Sequence, residues 1–275
     1  MRKGICYYLT NWLIKISMTA SLKPEKPRMG TRRQPEASRK AILQAALEEF
    51  SQEGLSGARM DAIAAAAGVN KALLYYYFRD KDALYGAVLD EFFSSFLERL
   101  TEVLDRSASA GERFLLYVRA HFDIVAKSPY YARIFVGETM SAGRGGSPHI
   151  ERMFAQYLQP IAARVLAVLR EGIESGEFRA VEPMQFMPSA VGSIVHYFGI
   201  APLLRKFRSV DPFSTEALQQ RRAAVMDFAA AALFVNRDAG VTLAADIAAR
   251  ESQNTANPHS LARPKHSNPA RRKRL

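Results

Sequence analysis

The sequence predicts an all-α protein, because apolar residues recur at helical spacing along the chain and no alternating strand pattern exceeds a few residues. The most informative stretch is 59–78, where two short helices flank a glycine turn. Met60 and Ile63 lie on one face of the first helix, and Gly68 can end it in the positive-φ region. Asn70 can then cap the second helix. Helix, tight turn and short helix is the layout of a helix-turn-helix motif.

Residues 62–84, AIAAAAGVNKALLYYYFRDKDAL, resemble the N-terminal domain of TetR/AcrR-family transcriptional regulators. The match with the family pattern rests on Ile63, Ala64, Ala67, Gly68, Val69, Leu74, Tyr75, Tyr77, Phe78, Lys81 and Leu84. The resemblance covers about 36–96 and implies a three-helix, homeodomain-like DNA-binding domain. A helical hairpin with no role in DNA binding is the alternative, but it leaves the tyrosine cluster at 75–77 unexplained.

The resemblance and the composition together predict how the chain is divided. The predicted segments are a disordered basic extension at 1–35, the DNA-binding domain at 36–96, a helical ligand-binding and dimerisation domain at 97–250, and a disordered basic tail at 251–275. The extension is rich in Pro, Lys and Arg, a composition that disfavours a packed core. It also fits an over-long start, in which Met18 or Met29 is the true initiator.

Glycine, proline and capping residues indicate where the helices begin and end. Gly54 ends a first helix that begins at Ser38. Asp80 caps a long helix that continues from the DNA-binding domain into the second domain, and Pro129 and Pro148 each open a helix. The predicted helices are 38–53, 59–66, 70–77, 81–106, 111–127, 129–140, 148–173, 183–206 and 214–237. The Gly/Ser-rich stretch 141–147 is predicted to be a loop.

Positive charge is concentrated at the two ends of the chain. Residues 1–35 contain eight Lys/Arg and one Glu (8 − 1 = +7), and 252–275 contain six Lys/Arg and no acid (+6). Because the whole chain carries +11, the remaining residues 36–251 have a net charge of 11 − 13 = −2. DNA affinity in the folded part must therefore come from the placement of a few cations and hydroxyl groups, since bulk charge does not supply it.

The resemblance assigns phosphate contacts to the end of the helix-turn-helix motif. It implies that Tyr75, Tyr77 and Lys81 hold DNA phosphates, a role that phenol hydroxyls and an ammonium group fill without reading the base sequence. Arg59, at the start of the first helix of the motif, is a further candidate for a phosphate contact.

The start of the second helix carries the candidates for base contacts, because side chains there approach base edges. Lys71 can bond to guanine, whereas Ala72 and Leu73 offer only apolar contact with a thymine methyl group. Leu73 stands where the family often has a polar residue, so base preference is predicted to rest on Lys71 and on DNA shape. Tyr76 is expected to contact either a base or the DNA backbone.

For the second domain, the resemblance implies a cavity for an unidentified small-molecule effector. Aromatic residues, and polar residues that interrupt apolar stretches, are the candidates for its wall. These candidates are Tyr117, His121, Glu138, Gln156, Tyr157 and His196. For His121 and His196 the alternative is a hydrogen-bonded imidazole in the protein core.

The resemblance also implies a homodimer that binds a palindromic double-stranded DNA operator through two readers, the helix-turn-helix motifs of its two subunits. One two-helix reader covers few base pairs, so a symmetric pair is expected. The last two helices are expected to form the dimer as a four-helix bundle, although intrachain core is the alternative for their apolar faces. Effector binding would then pivot the 81–106 helix and release the DNA, which is the behaviour of a repressor.

Other classes of function find little support in the sequence. No nucleophile elbow, phosphate loop, HExxH or paired-carboxylate pattern occurs, so no catalytic residue, metal site or cofactor is predicted. The single Cys6 fits a reducing, cytoplasmic location. One alternative is a membrane-tethered sensor that uses the apolar stretch 5–18, although this is short for a bilayer span. Another is a nucleic-acid-binding protein that acts mainly through its basic ends.

Overall fold

The computed structural model describes residues 35–142, 148–207 and 211–256, and Ser38 begins one compact unit that continues along the chain. Within these ranges the chain is helical, as the sequence predicts. Their one strand-like pairing is an isolated antiparallel bridge between Phe178 and Phe234. The apolar stretch 5–18, most of the two basic ends and residues 143–147 of the predicted loop lie outside the described residues.

The helices follow one another with short connections. The N-terminal helices are α1 (Pro35–Gly57), α2 (Met60–Ala66), α3 (Lys71–Tyr77) and α4 (Lys81–Leu104). After them come α5 (Ala110–Lys127), α6 (Pro129–Ala142), α7 (Pro148–Met153), α8 (Gln159–Glu174), α9 (Pro183–Phe207), α10 (Thr215–Leu233) and α11 (Arg237–Ala256). A π-helical turn, Phe154–Leu158, joins α7 to α8, so the single helix predicted at 148–173 is interrupted.

The first helices enclose a small apolar core that holds the helix-turn-helix motif in place. Ile42 and Phe50 of α1, Ile63 of α2, Leu74 of α3 and Leu84 of α4 are all almost fully buried. Gly54 has a φ of 68° and interrupts α1 at the position where the sequence predicts its end. Burial of these side chains accounts for the stability of α2 and α3, since isolated helices of two turns do not persist in water.

Helix α4 is continuous from the helix-turn-helix motif into the second half of the molecule. Asp80 caps it, because its side chain accepts a hydrogen bond from the Ala83 backbone N–H at 2.8 Å. The helix buries Leu84 and Val88 in its first half and Leu100 and Leu104 near its end. One rigid element therefore belongs to both parts of the structure, as the sequence predicts.

A close approach between α8 and the chain that follows it explains why position 172 is a glycine. A Cβ atom at Gly172 would overlap the ring of Phe178, which is 2 % exposed. The Phe178 ring also packs edge-on against Phe234, with ring centroids 5.2 Å apart. These two phenylalanines hold the turn after α8 against the end of α10.

The end of α10 and the helix after it differ from the prediction. Helix α10 ends at Leu233 instead of continuing to 237, because Phe234 adopts an extended backbone and its side chain is buried. Asn236 then starts α11, and its side chain accepts a hydrogen bond from the Ala239 N–H at 3.1 Å. Helix α11 buries Ile247 and runs on to Ala256. The prediction of a disordered tail from 251 onward is therefore wrong for 251–256.

Helix α9 is unusually apolar for its position in the fold. By length and composition it is the one described helix that passes the test for a membrane span, which is weak evidence by itself. Only 22% of its most apolar 18-residue segment is buried inside the protein. Much of this apolar surface is therefore left uncovered by the other described residues.

Candidate DNA-binding surface and ligand cavity

The turn between α2 and α3 has the geometry that the sequence predicts. Gly68 has a φ of 64°, in the left-handed region that favours glycine. The Asn70 side chain accepts a hydrogen bond from the Leu73 N–H at 2.7 Å and caps α3. On the inner side of α3, Leu74 is fully buried, and Phe78 just after it is 6 % exposed. These contacts fix which face of α3 points outward.

The outward face of α3 carries the residues proposed to meet DNA. Lys71 and Ala72 are exposed in its first turn, and Leu73 is half-buried. Tyr75 is 43% exposed and Tyr76 is 81% exposed, so the two phenols differ in how far they reach into solvent. An 81% exposed tyrosine contributes little to the core, which favours a role at an interface.

Tyr77 and Arg59 lie at the edges of this surface. Tyr77 is half-buried and its ring packs edge-on against Tyr76, with centroids 5.4 Å apart. Arg59 is exposed, and its backbone N–H donates to the Glu49 carboxylate at 3.0 Å. That bond joins the start of α2 to α1 and fixes the backbone position from which the Arg59 side chain extends.

The Lys71 ammonium lies in an ion pair that the sequence analysis missed. Its Nζ is 2.7 Å from Oδ1 of Asp61 on α2, and both side chains are more than half exposed. The pairing raises the pKa of Lys71 and lowers that of Asp61, in each case through their mutual hydrogen bond. Spacing of ten residues across a turn gives no local signal for such a pair. If Lys71 contacts DNA as predicted, it must exchange or share this partner.

Lys81 has a structural role in addition to the predicted one. Its Nζ donates to the backbone carbonyls of Ser56, at 2.8 Å, and Ala58, at 3.1 Å. These bonds join the start of α4 to the connection between α1 and α2. An ammonium group has three donors, so the geometry leaves one for a phosphate while the other two hold the domain together.

The second half of the molecule contains a cavity of about 380 Å³. Its wall combines residues of α4, α5, α6, the π-helical turn, α8 and α9. The residues that line it are Phe92, Phe93, Phe96, Tyr117, His121, Val125, Tyr131, Ala132, Phe135, Phe154, Leu158, Ile161, Ala162, Val165, Leu166, Pro183, Met184, Met187, Pro188, Val191 and Val195. Phe154 and Met184 are more than half exposed, so the cavity opens to solvent between the π-helical turn and α9.

Two of the predicted ligand-binding residues line this cavity. Tyr117 and His121 are one helical turn apart on α5, and the Tyr117 hydroxyl lies 3.4 Å from Nδ1 of His121. Both side chains are buried. Burial lowers the pKa of His121 to about 4 and raises that of Tyr117, so both groups are neutral at pH 7.

Two other candidates lie in a polar network beside the cavity and not in its wall. The buried Glu138 of α6 accepts a hydrogen bond from the Tyr85 hydroxyl of α4 at 2.6 Å. The Tyr157 hydroxyl donates to Asp90 of α4 at 3.0 Å. Burial, followed by the hydrogen bond to Glu138, raises the pKa of Tyr85. Glu138 and Tyr157 therefore fix the position of α4, and the expectation that they line the cavity is not met.

The remaining candidates, Gln156 and His196, are exposed and do not line the cavity. Both were chosen because they interrupt apolar stretches, but an interruption of this kind also occurs where a helix turns one polar side chain toward solvent. The sequence analysis did not select most of the residues that line the cavity, and these include the phenylalanines of α4: Phe92, Phe93 and Phe96. Their signal was present, since the adjacent Phe92 and Phe93 point in different directions on a helix and cannot share one core face.

A metal centre does not emerge from the described residues. No group of three or more His, Cys, Asp or Glu side chains in them is arranged to hold a metal ion. The fold and the exposed face of α3 instead define a helix-turn-helix protein with an all-helical second domain and an internal cavity.

Comparison with known proteins identifies the family. Residues 42–88 match the profile of the bacterial regulatory proteins of the tetR family, and residues 111–228 match that of the tetracyclin repressor-like C-terminal domain. The HTH-type transcriptional regulator RutR of Escherichia coli (strain K12) is 31% identical over 166 residues, which are 60% of this chain and 76% of RutR. The chain belongs to the TetR family of transcriptional regulators, whose members are regulators and not enzymes.

Solved structures agree with this fold. A gamma-butyrolactone receptor (ArpA-like protein) superposes with a TM-score of 0.58 at 22% identity, covering 79% of this chain and all of that one (100%). The regulator FadR from Bacillus subtilis, solved in complex with stearoyl-CoA, superposes with a TM-score of 0.51 at 21% identity and covers 68% of this chain and 96% of its own. At these identities the likeness concerns the fold.

We predict that Lys71→Ala lowers affinity for the operator about tenfold and weakens discrimination between guanine and other bases at the contacted position, the loss expected for one base-directed cation. Asp61→Asn should have the opposite effect on affinity, because it removes a carboxylate that competes with DNA for Lys71. Fluorescence anisotropy with operator variants measures both. Lys127→Ala, at the far end of α5, is the matched control, and an unchanged base preference in Lys71→Ala would contradict the assignment.

We predict that His121 makes the protein less stable in acid. Its pKa of about 4 in the folded protein lies below the 6.5 of a free histidine, so the unfolded chain takes up the proton first as the pH falls. The contribution of His121 to the free energy of unfolding is fully present above pH 6.5. It is lost between pH 6.5 and about 4, by roughly 3 kcal/mol in all. Urea unfolding at a series of pH values should show a shallower loss in His121→Phe. Exposed His196→Phe should behave as wild type.

Proposed function

We propose that the protein is a ligand-responsive repressor that binds a palindromic operator as a homodimer and is released by a small molecule. The observation that supports this most directly is the course of α4. Lys81 and Leu84 at its start belong to the helix-turn-helix core, whereas Phe92, Phe93 and Phe96 further along line the cavity. A molecule that enters the cavity therefore contacts the same helix that carries the DNA reader.

The proposed DNA contacts fall into two groups by chemistry. Tyr75, Tyr77, Lys81 and Arg59 bind phosphates and set the register of the protein on DNA, which they can do without net positive charge in the domain. Lys71, with Ala72 and Leu73 beside it, meets base edges, and Tyr76 contacts a base or the backbone next to them. The exposure of Lys71, Tyr75 and Tyr76 supports this division.

The proposed dimer contact involves α9 and α10. On α10, Ala224 is exposed and Phe228 is 50% exposed, although Val225 between them is core. On α9, Leu203 and Phe207 are also more than half exposed. An apolar surface of this extent on two neighbouring helices is typical of a subunit interface. A symmetric interface there would set the spacing of two recognition helices.

The proposed switch is a change in the equilibrium between two positions of α4. Helices α6 and α7 hold the first half of α4 through bonds such as Tyr85–Glu138 and His149–Asp82, at 2.6 and 2.9 Å. A ligand that binds one position of the Phe92–Phe96 segment more tightly than the other shifts the population toward it. The reader spacing then fits the operator in one state only.

One structural neighbour is a gamma-butyrolactone receptor and FadR was solved in complex with stearoyl-CoA, which supports an effector for the present cavity. The relatives are DNA-binding regulators, which favours a cytoplasmic protein that needs no cofactor. We propose that DNA binding by this protein represses transcription.

Footprinting on DNA that flanks the protein's own gene tests the proposed function. We expect protection of two half-sites about one helical turn apart. A chain lacking 1–34 and 257–275 should protect the same sites, with a weaker dependence of affinity on salt because fewer cations meet phosphate. Loss of the footprint on removing the two ends would instead favour binding through the basic ends.

We predict that Phe228→Arg converts the homodimer to monomer, because it places a charge in an interface that must exclude water. Sedimentation equilibrium should report the change in mass, and operator affinity should fall by at least a hundredfold, since a single reader replaces a pair. Val235→Arg is a matched control at an equally exposed apolar residue outside α9 and α10. A Phe228→Arg protein that remains dimeric would place the interface elsewhere.

A further inference from the structure

The cavity wall is almost entirely apolar. Among the described residues that line it there is no Asp, Glu, Lys or Arg, and the polar side chains are those of Tyr117, His121 and Tyr131. A ligand with an ionised group inside this wall would have no countercharge and would lose its hydration, at a cost of several kcal/mol. The part of a ligand that enters the cavity is therefore uncharged.

Tyr131 does not serve as the polar anchor. Its ring stacks on Phe92, with centroids 3.7 Å apart and planes at 18°. Burial raises the pKa of its hydroxyl, and the Glu91 carboxylate adds to this effect. Glu91 is exposed and does not line the cavity, so the charge that acts on the Tyr131 hydroxyl lies outside the cavity. The flat face of the ring is what it contributes to the cavity.

His121 differs from Tyr131, because one of its ring nitrogens has a hydrogen-bond partner among the described residues and the other has none. A buried phenol needs an acceptor for its proton, and for Tyr117 the acceptor that the described residues provide is Nδ1 of His121 at 3.4 Å. A neutral imidazole that accepts at Nδ1 carries its hydrogen on Nε2. The described residues give Nε2 no partner, although His121 is only 6 % exposed. A donor is thus left over in an apolar wall.

We infer that the cavity binds a neutral, largely apolar molecule that carries one carbonyl-type oxygen, and that this oxygen accepts a hydrogen bond from Nε2 of His121. The inference rests on the proposed function only in taking this cavity as the effector site. An apolar cavity of about 150 Å³ binds benzene, which has six non-hydrogen atoms, so the 380 Å³ cavity holds roughly fifteen such atoms. The rings of His121 and Phe96 of α4 are nearly perpendicular, with centroids 5.0 Å apart, and both line the cavity, so the anchored molecule lies against the helix that reaches the DNA reader.

Three eleven-carbon probes separate the contributions of shape, charge and hydrogen bonding. They are 2-undecanone, undecane and undecanoate, each used at pH 7 to displace the neutral fluorescent probe N-phenyl-1-naphthylamine from the full-length protein without DNA. We expect 2-undecanone to bind at least tenfold more tightly than undecanoate. His121→Phe should weaken binding of the ketone about tenfold, the effect of one buried hydrogen bond, and should change the affinity for undecane less than twofold. His196→Phe should leave all affinities as in wild type.

Equal affinity for the ketone and the carboxylate in the wild-type protein would overturn the inference, and this comparison does not depend on a variant that folds. No displacement by the ketone, or an unchanged ratio of ketone to alkane affinity in a folded His121→Phe protein, would overturn it as well. Operator release is measured separately by anisotropy. If the ketone binds in a His121-dependent manner but leaves the operator complex intact, the proposed release by ligand fails and the assignment of the cavity stands.

Discussion

Helix α4 must satisfy two sets of neighbours at once, and the rest of the structure depends on this constraint. It is 24 residues long, a rod of about 36 Å at 1.5 Å per residue. At one end its first residues close the helix-turn-helix core through Leu84 and the bonds of Lys81. Beyond the midpoint its phenylalanines form a wall of the cavity. Because a packed helix moves as a unit, the proposed switch would transmit a shift at the cavity to the helix-turn-helix motif.

Polar bonds hold α4 where an apolar contact alone would allow it to slide. Tyr85 bonds to Glu138, Asp82 to His149, and Asp90 to Tyr157. Hydrogen bonds have narrow requirements of distance and angle, so these pairs fix the register of α4 against α6, α7 and the π-helical turn. The cavity wall beyond them is apolar and imposes no such register. The molecule thus combines a specified contact near the reader with an adaptable one around the ligand.

The DNA-binding surface works without a surplus of positive charge. Residues 36–96 contain six Lys/Arg and nine Asp/Glu, a net of −3. Three of the six cations, Arg39, Lys71 and Arg79, are in ion pairs with carboxylates. Neutral hydroxyl donors and a few placed cations must supply the contacts, which makes their geometry decisive. The core side chains Leu74 and Phe78, which set the rotation of α3, therefore contribute indirectly to DNA recognition.

The sequence by itself determined the helical class, the helix-turn-helix motif and most helix boundaries, because Gly68, Asn70 and Asp80 act through local backbone geometry that adjacent residues dictate. It also indicated Tyr117 and His121, which are one turn apart on one helix. Only the tertiary structure decided that Glu138 and Tyr157 hold α4, that Gln156 and His196 face solvent, and that Lys71 meets Asp61. It also revealed α11, whose start depends on burial of Phe234 against Phe178. In each of these cases the partner is distant in sequence or the outcome depends on which face a neighbouring helix covers, and periodicity along one segment carries neither kind of information.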